Sequence, residues 1–65
     1  MQDDDFMTTT QVAERLNIPV STVRYWRFMG QGPKSFTMGQ RTVRYRSSDV
    51  EAWLDAQYQA TSVAR

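Results

Sequence analysis

The stretch "TTTQVAERLNIPVSTVRYWR", Thr8 to Arg27, carries two helical apolar stripes with a break of about three residues between them. In its first half Val12, Ala13 and Leu16 fall on one side of a helix. Thr8 and Gln11 stand at the S/T-x-x-E/Q spacing of a capping box, in which each side chain reaches a free backbone N–H. Met7 before the cap and Val12 after it are placed as a hydrophobic staple. Asn17 tolerates the left-handed conformation that ends a helix, and Ile18 can then fold back onto it. These signals predict a helix from about Thr9 to Leu16.

In the second half, Pro19 has no N–H to give an interior helical bond, so it belongs where a helix begins. A second helix is predicted over roughly Val20 to Met29, closed by Gly30. Val20, Val23 and Trp26 share one arc of it, while Ser21, Arg24 and Tyr25 lie on the other side. Two helices joined this tightly make a helix-turn-helix.

Downstream, "GQGP" (residues 30–33) cannot continue a helix and makes a turn. "KSFTM" and "RTVRYR" each alternate about Gly39 and Gln40, which predicts a β-hairpin. Phe36, Met38, Val43 and Tyr45 are expected to face inward, and Thr42, Arg44 and Arg46 outward. A hairpin alone is marginal in water, so it must lean on the helices. "SSDVEAWLDAQ" predicts a last helix with a second capping box, Ser48 and Glu51, and a buried stripe of Val50, Trp53 and Leu54. Asp49 suits the positive end of that helix. Residues 1–6 read as a disordered acidic leader, 7–57 as the domain, and 58–65 as a tail without strong pattern.

Sixty-five residues allow one small core. Cysteine and histidine are both absent, which removes disulfides, thiol nucleophiles, the usual proton shuttle and the usual metal ligand. No acid–base or metal constellation can be assembled, so neither an enzyme nor a cofactor is expected. No apolar run is long enough to span a membrane, and no signal-peptide pattern is present. A soluble, cytoplasmic protein is the expectation.

The net charge is only +1, but its distribution is uneven. Residues 1–8 sum to −3, residues 9–48 to +6 and residues 49–65 to −2. Six of the seven central cations are arginine, whose planar fork suits phosphate and guanine. The cations concentrate on the second helix and the hairpin, the two parts of a winged helix-turn-helix that reach DNA. The fold class is therefore mainly α with a small hairpin, and the expected partner is double-stranded DNA.

The pieces "VAERL", "STVRYW", "GP" and "RYRSSDVEAWL", in that order and spacing, also carry a family likeness. Across Met7 to about Gln57 the chain resembles the MerR-like winged-helix family, which includes phage excisionases and AlpA-type regulators. The family's short stand-alone members are commonly excisionases. That resemblance implies binding to repeats in attachment-site DNA, often cooperatively, by a chain that is a monomer in solution. It also implies DNA bending and a partner tyrosine integrase biased toward excision, in a bacterial host cell. Excisionases do no chemistry themselves, and a tyrosine recombinase needs a histidine that this chain lacks.

Carried over by position, Ser21, Thr22, Arg24 and Tyr25 fall where the family's recognition helix meets the major groove. Arg27 matches a subgroup reading W-R-x-x-G-x-G-P and is assigned to a phosphate. Gln40 and Arg41 occupy the wing tip, and Arg44 and Arg46 its outer strand. The chain departs from the family at Asn17, where glycine is usual, and at Pro19, where serine is usual. Phe28 and Met29 stand where polar residues are expected.

Bland readings accompany these assignments. Arg24 could pair with Glu14 or an acidic tail residue, Tyr25 could be a packing ring, and Arg44 and Arg46 could guard an edge strand. Arg15 is expected to pair locally, and Trp26 and Trp53 to sit in the core. Phe28 and Met29 are expected to cover the wing or tail, with a protomer or integrase contact as the alternative. Competing functions are an AlpA-like or MerR-like transcriptional regulator, and a protein-interaction adaptor or antitoxin. The absence of an effector domain or long dimerising helix argues against a MerR-type sensor.

Overall fold

The structure, a computed structural model, describes residues 5–62. Its elements run β1 (Phe6–Met7), α1 (Thr9–Leu16), α2 (Val20–Phe28), β2 (Phe36–Met38), β3 (Thr42–Arg46) and α3 (Ser47–Thr61). The strands form one antiparallel sheet in the order β1-β3-β2. This is a winged helix-turn-helix.

Helix α1 begins and ends as its residues dictate. Thr8 Oγ1 accepts from the Gln11 N–H at 3.0 Å and Gln11 Oε1 accepts from the Thr8 N–H at 2.8 Å, so the capping box is closed. Asn17 takes φ 59°, and the Asn17 and Ile18 N–H groups donate to the Glu14 and Ala13 carbonyls. Those bonds satisfy carbonyls that a helix end otherwise leaves bare. Pro19 is the N-cap of α2, and its carbonyl accepts from the Thr22 N–H at 3.0 Å. At the far end of α2 the Gly30 and Gln31 N–H groups fold back to the Arg27 and Trp26 carbonyls. Gly30, at φ +72°, permits that reversal.

Five side chains form the buried core: Val12 and Ala13 from α1, Val23 from α2, Tyr45 from β3 and Val50 from α3. Met7, Leu16, Ile18, Val20 and Val43 pack around them. Trp26 and Trp53 meet at 5.1 Å between centroids and are half-buried, a second contact that joins α2 to α3 beside the core. Gly32 lies against Trp26; a Cβ there would come within 3.0 Å of the indole, at a φ of +80° that side chains rarely adopt. Arg15 pairs with Glu51 through two contacts of 2.7 Å, tying α1 to α3 on the exposed surface. An exposed pair of this kind contributes about 0.2–1 kcal/mol.

The sheet departs from the sequence expectation in three ways. First, Asp5 and Phe6, read as leader, are ordered: Phe6 pairs with Arg46, and Asp5 and Ser47 exchange bonds of 2.8 and 3.1 Å. The expected leader residues 1–4 lie outside the described residues. Second, β3 is therefore the central strand, so Arg44 and Arg46 do not lie on an edge. Third, the hairpin loop holds three residues, 39–41, because Met38 pairs with Thr42 and Phe36 with Arg44. A two-residue loop at Gly39–Gln40 would have set Phe36 opposite Val43. The one-residue difference moves every β2 side chain to the other face. Thr37 now shares the inner face with Val43 and Tyr45, while Phe36 and Met38 stand outward, 37% and 40% exposed.

Helix α3 also differs. It starts at Ser47, with Arg46 as N-cap and no side-chain bond from that cap, so Ser48 lies inside the first turn and is not the cap residue; Glu51 pairs with Arg15. It continues through the expected tail to Thr61, where the Ser62 N–H donates to the Tyr58 carbonyl. Every residue from Asp55 to Thr61 is exposed, so the last turns stand clear of the core.

Candidate nucleic-acid interface

Helix α2 is divided lengthwise by its own period. Val23 is fully buried and Val20 and Trp26 are half-buried, which fixes the helix to α1 and α3. Ser21, Arg24 and Tyr25 are exposed on the opposite side, and Thr22 is half-buried at the margin. Arg24 makes no ion pair among the described residues, with neither Glu14 nor an acidic residue toward the C-terminus. Tyr25 is 58% exposed and its ring is not packed into the core. This face has the polar and cationic side chains that read base edges and phosphates from a major groove.

Arg27 serves the interior as well. The Tyr45 hydroxyl accepts a hydrogen bond from Arg27 and is hydrogen-bonded to Thr9, so one phenol joins α1, α2 and β3. Burial raises the Tyr45 pKa above its ordinary value, and the nearby Arg27 charge and the two hydrogen bonds offset part of that rise. Arg27 nevertheless stays exposed.

The wing presents a second cationic group. Gln40 and Arg41 are exposed in the hairpin turn beside Gly39, whose φ is +69°. Arg44 is half-buried and its Nη1 donates to the Val43 carbonyl at 2.8 Å, which holds its stem along the sheet. Arg46 is exposed on the same outer face, opposite Phe6. Phe6 and Phe36 meet edge to face at 5.6 Å across β3, so the outer face of the sheet carries two aromatic rings among its arginines.

Residues 6–58 match the helix-turn-helix domain family. The chain belongs to that family. It is a DNA-binding protein whose helix-turn-helix is α1–α2 and whose wing is β2–β3. No curated protein and no solved structure matches it significantly.

Within this winged helix-turn-helix, the candidate residues form two groups: Ser21, Thr22, Arg24, Tyr25 and Arg27 on α2, and Gln40, Arg41, Arg44 and Arg46 on the wing. Three features escaped the sequence reading. Phe28 is 86% exposed and Met29 49% exposed, so Phe28 covers neither the wing nor the end of α3. Phe36 and Met38 join the outer face, and the signal that would have found them is the loop length. Lys34 shares a cleft with Arg27 between α2 and β2. No described helix is long and apolar enough to cross a membrane.

Proposed function

We propose that this protein is an architectural DNA-binding factor of the excisionase kind. It binds repeated sites in attachment-site DNA through α2 and the wing, bends the duplex, and directs a tyrosine integrase toward excision. The observation that carries this reading is the pairing of two exposed cationic elements, α2 with Arg24 and the hairpin tip with Arg41, on one small domain. A domain that places a helix in a major groove and a wing in the neighbouring minor groove gains contacts when the duplex curves toward it. Bending costs a few kcal/mol, which those added contacts offset. The resemblance in "STVRYW" and "RYRSSDVEAWL" to excisionases supports the same reading.

In this mechanism the chain contributes geometry, and the strand chemistry belongs to the integrase. Arg24 and Tyr25 set specificity in the major groove, while Arg41, Arg44 and Arg46 hold the backbone or minor groove beside it. A circular-permutation mobility assay on attachment-site DNA, paired with an excision assay containing the integrase, tests the proposal. Bent DNA and stimulated excision are expected. Straight DNA would sink the architectural role. Bent DNA without effect on excision, together with altered output from a nearby promoter, would assign the chain to AlpA-type regulation.

A further inference from the structure

The two cationic elements are joined by residues 29–35, and that connection is more than a spacer. Between Arg27 and residues 30–35 lies an open cleft of about 190 Å³. Its wall carries two cationic side chains, Arg27 and Lys34, and no carboxylate. Lys34 is exposed and makes no ion pair among the described residues. Gly30 and Gly32 both take positive φ, Pro33 is buried, and Gly32 lies against the Trp26 side chain. The Gly32 and Lys34 N–H groups donate to no backbone carbonyl among the described residues.

We infer that this cleft is a phosphate clamp, in which Lys34 and Arg27 hold one phosphodiester of the DNA backbone between the two grooves. The inference rests on the helix-and-wing reading above. A major groove and its neighbouring minor groove are separated by a single sugar–phosphate strand. A chain that puts α2 in one and the hairpin tip in the other must pass its α2–β2 connection over that strand. Here Lys34 of the connection and Arg27 from the last turn of α2 face that strand across the cleft. One physical term opposes the assignment: the C-terminal end of a helix carries partial negative charge. At α2 that charge is reduced, because the Met29, Gly30 and Gln31 N–H groups already bond the last carbonyls. The two full positive charges then dominate.

A clamp on a phosphate carries no sequence information, so its loss should be uniform across sequences. Lys34→Ala, Lys34→Arg, Arg24→Ala and Arg41→Ala, each made in the full chain, would be titrated onto the target duplex and onto a random-sequence duplex over a salt series. Lys34 is exposed, and unchanged circular dichroism and melting would verify the fold of each variant. Lys34→Ala is expected to weaken binding and to lower the log–log salt slope by about one, and Lys34→Arg to restore both. If Arg24→Ala and Arg41→Ala weaken binding but Lys34→Ala does not, the clamp is wrong and the helix-and-wing surface stands. If Lys34→Ala alone weakens it, the phosphate contact holds and the helix-and-wing reading falls. If none does, both fall.

Discussion

Helix α2 and the wing both expose arginine, yet they are built on opposite terms. Helix α2 has one side sunk in the core through Val23, with Trp26 resting on Trp53, so its free side is aimed by packing. The wing strand β2 has three residues, all exposed, and only its partner β3 reaches the core, through Tyr45. A rigid, packed helix suits base reading, where small displacements lose bidentate hydrogen bonds. A thin hairpin suits the backbone, where charge acts over several ångströms and tolerates movement. The difference between the elements thus matches a difference in the work assigned to them.

The largest expected effect falls on the helix. Arg24→Ala should cost about 1–3 kcal/mol of specific binding if its guanidinium reads a base edge. Competition between target and random duplexes measures it, since the loss should appear mainly as lost discrimination. A loss equal on both duplexes would move Arg24 from the base-reading group to the phosphate group. That would erase the contrast between helix and wing.

A stability measurement on the wing is expected to give a smaller number. Replacing Phe36 with alanine should cost about 1 kcal/mol, because the ring stands on the outer face against Phe6 and not in the core. A core phenylalanine would cost about 3–5 kcal/mol. Urea unfolding separates the two values, and the larger one would restore the register that a two-residue loop implies. Arg41→Ala ranks next on the binding side. It should weaken target and random duplexes alike and lower the salt slope by about one, and an unchanged slope would remove Arg41 from the interface.

The same contrast decides what could be read from sequence. The two sides of α2 follow from the helical period alone, so the split between Val23 and Arg24 is visible without any neighbour. The capping box at Thr8 and Gln11 and the left-handed Asn17 are equally local, and all are present. The side on which Phe36 falls is not local. It depends on whether Arg41 belongs to the turn or to the strand, and only the pairing of Met38 with Thr42 settles that. Strand β1 was hidden for a related reason: two residues have no period, and Phe6 gains its place only from Arg46 and Phe36. Glu51 shows the third kind of failure. Its spacing from Ser48 is right for a cap, but the strand β3 runs directly into the helix, which starts at Ser47 with Arg46 as N-cap and leaves Ser48 inside the first turn.

The smallest expected effect tests the place where helix and wing are joined. The Tyr45 hydroxyl accepts from Arg27 of α2 and is hydrogen-bonded to Thr9 of α1, while its ring fills the core below β3. Its pKa is raised in the folded chain, chiefly by burial, so the neutral phenol is the form that the fold favours. Above the ordinary tyrosine pKa the unfolded chain loses this proton while the folded chain keeps it. The unfolded state then binds fewer protons, and stability must fall as pH rises. The contribution is complete below about pH 10 and is lost as pH climbs through the folded value. Urea unfolding across this alkaline range should show the decline, and Tyr45→Phe should remove the Tyr45 share of it. Because Arg27 would then lack its phenol acceptor, the variant should also loosen α2 relative to β3. If its affinity for DNA stayed unchanged, the two elements would be aimed independently, and Tyr45 would serve the core alone.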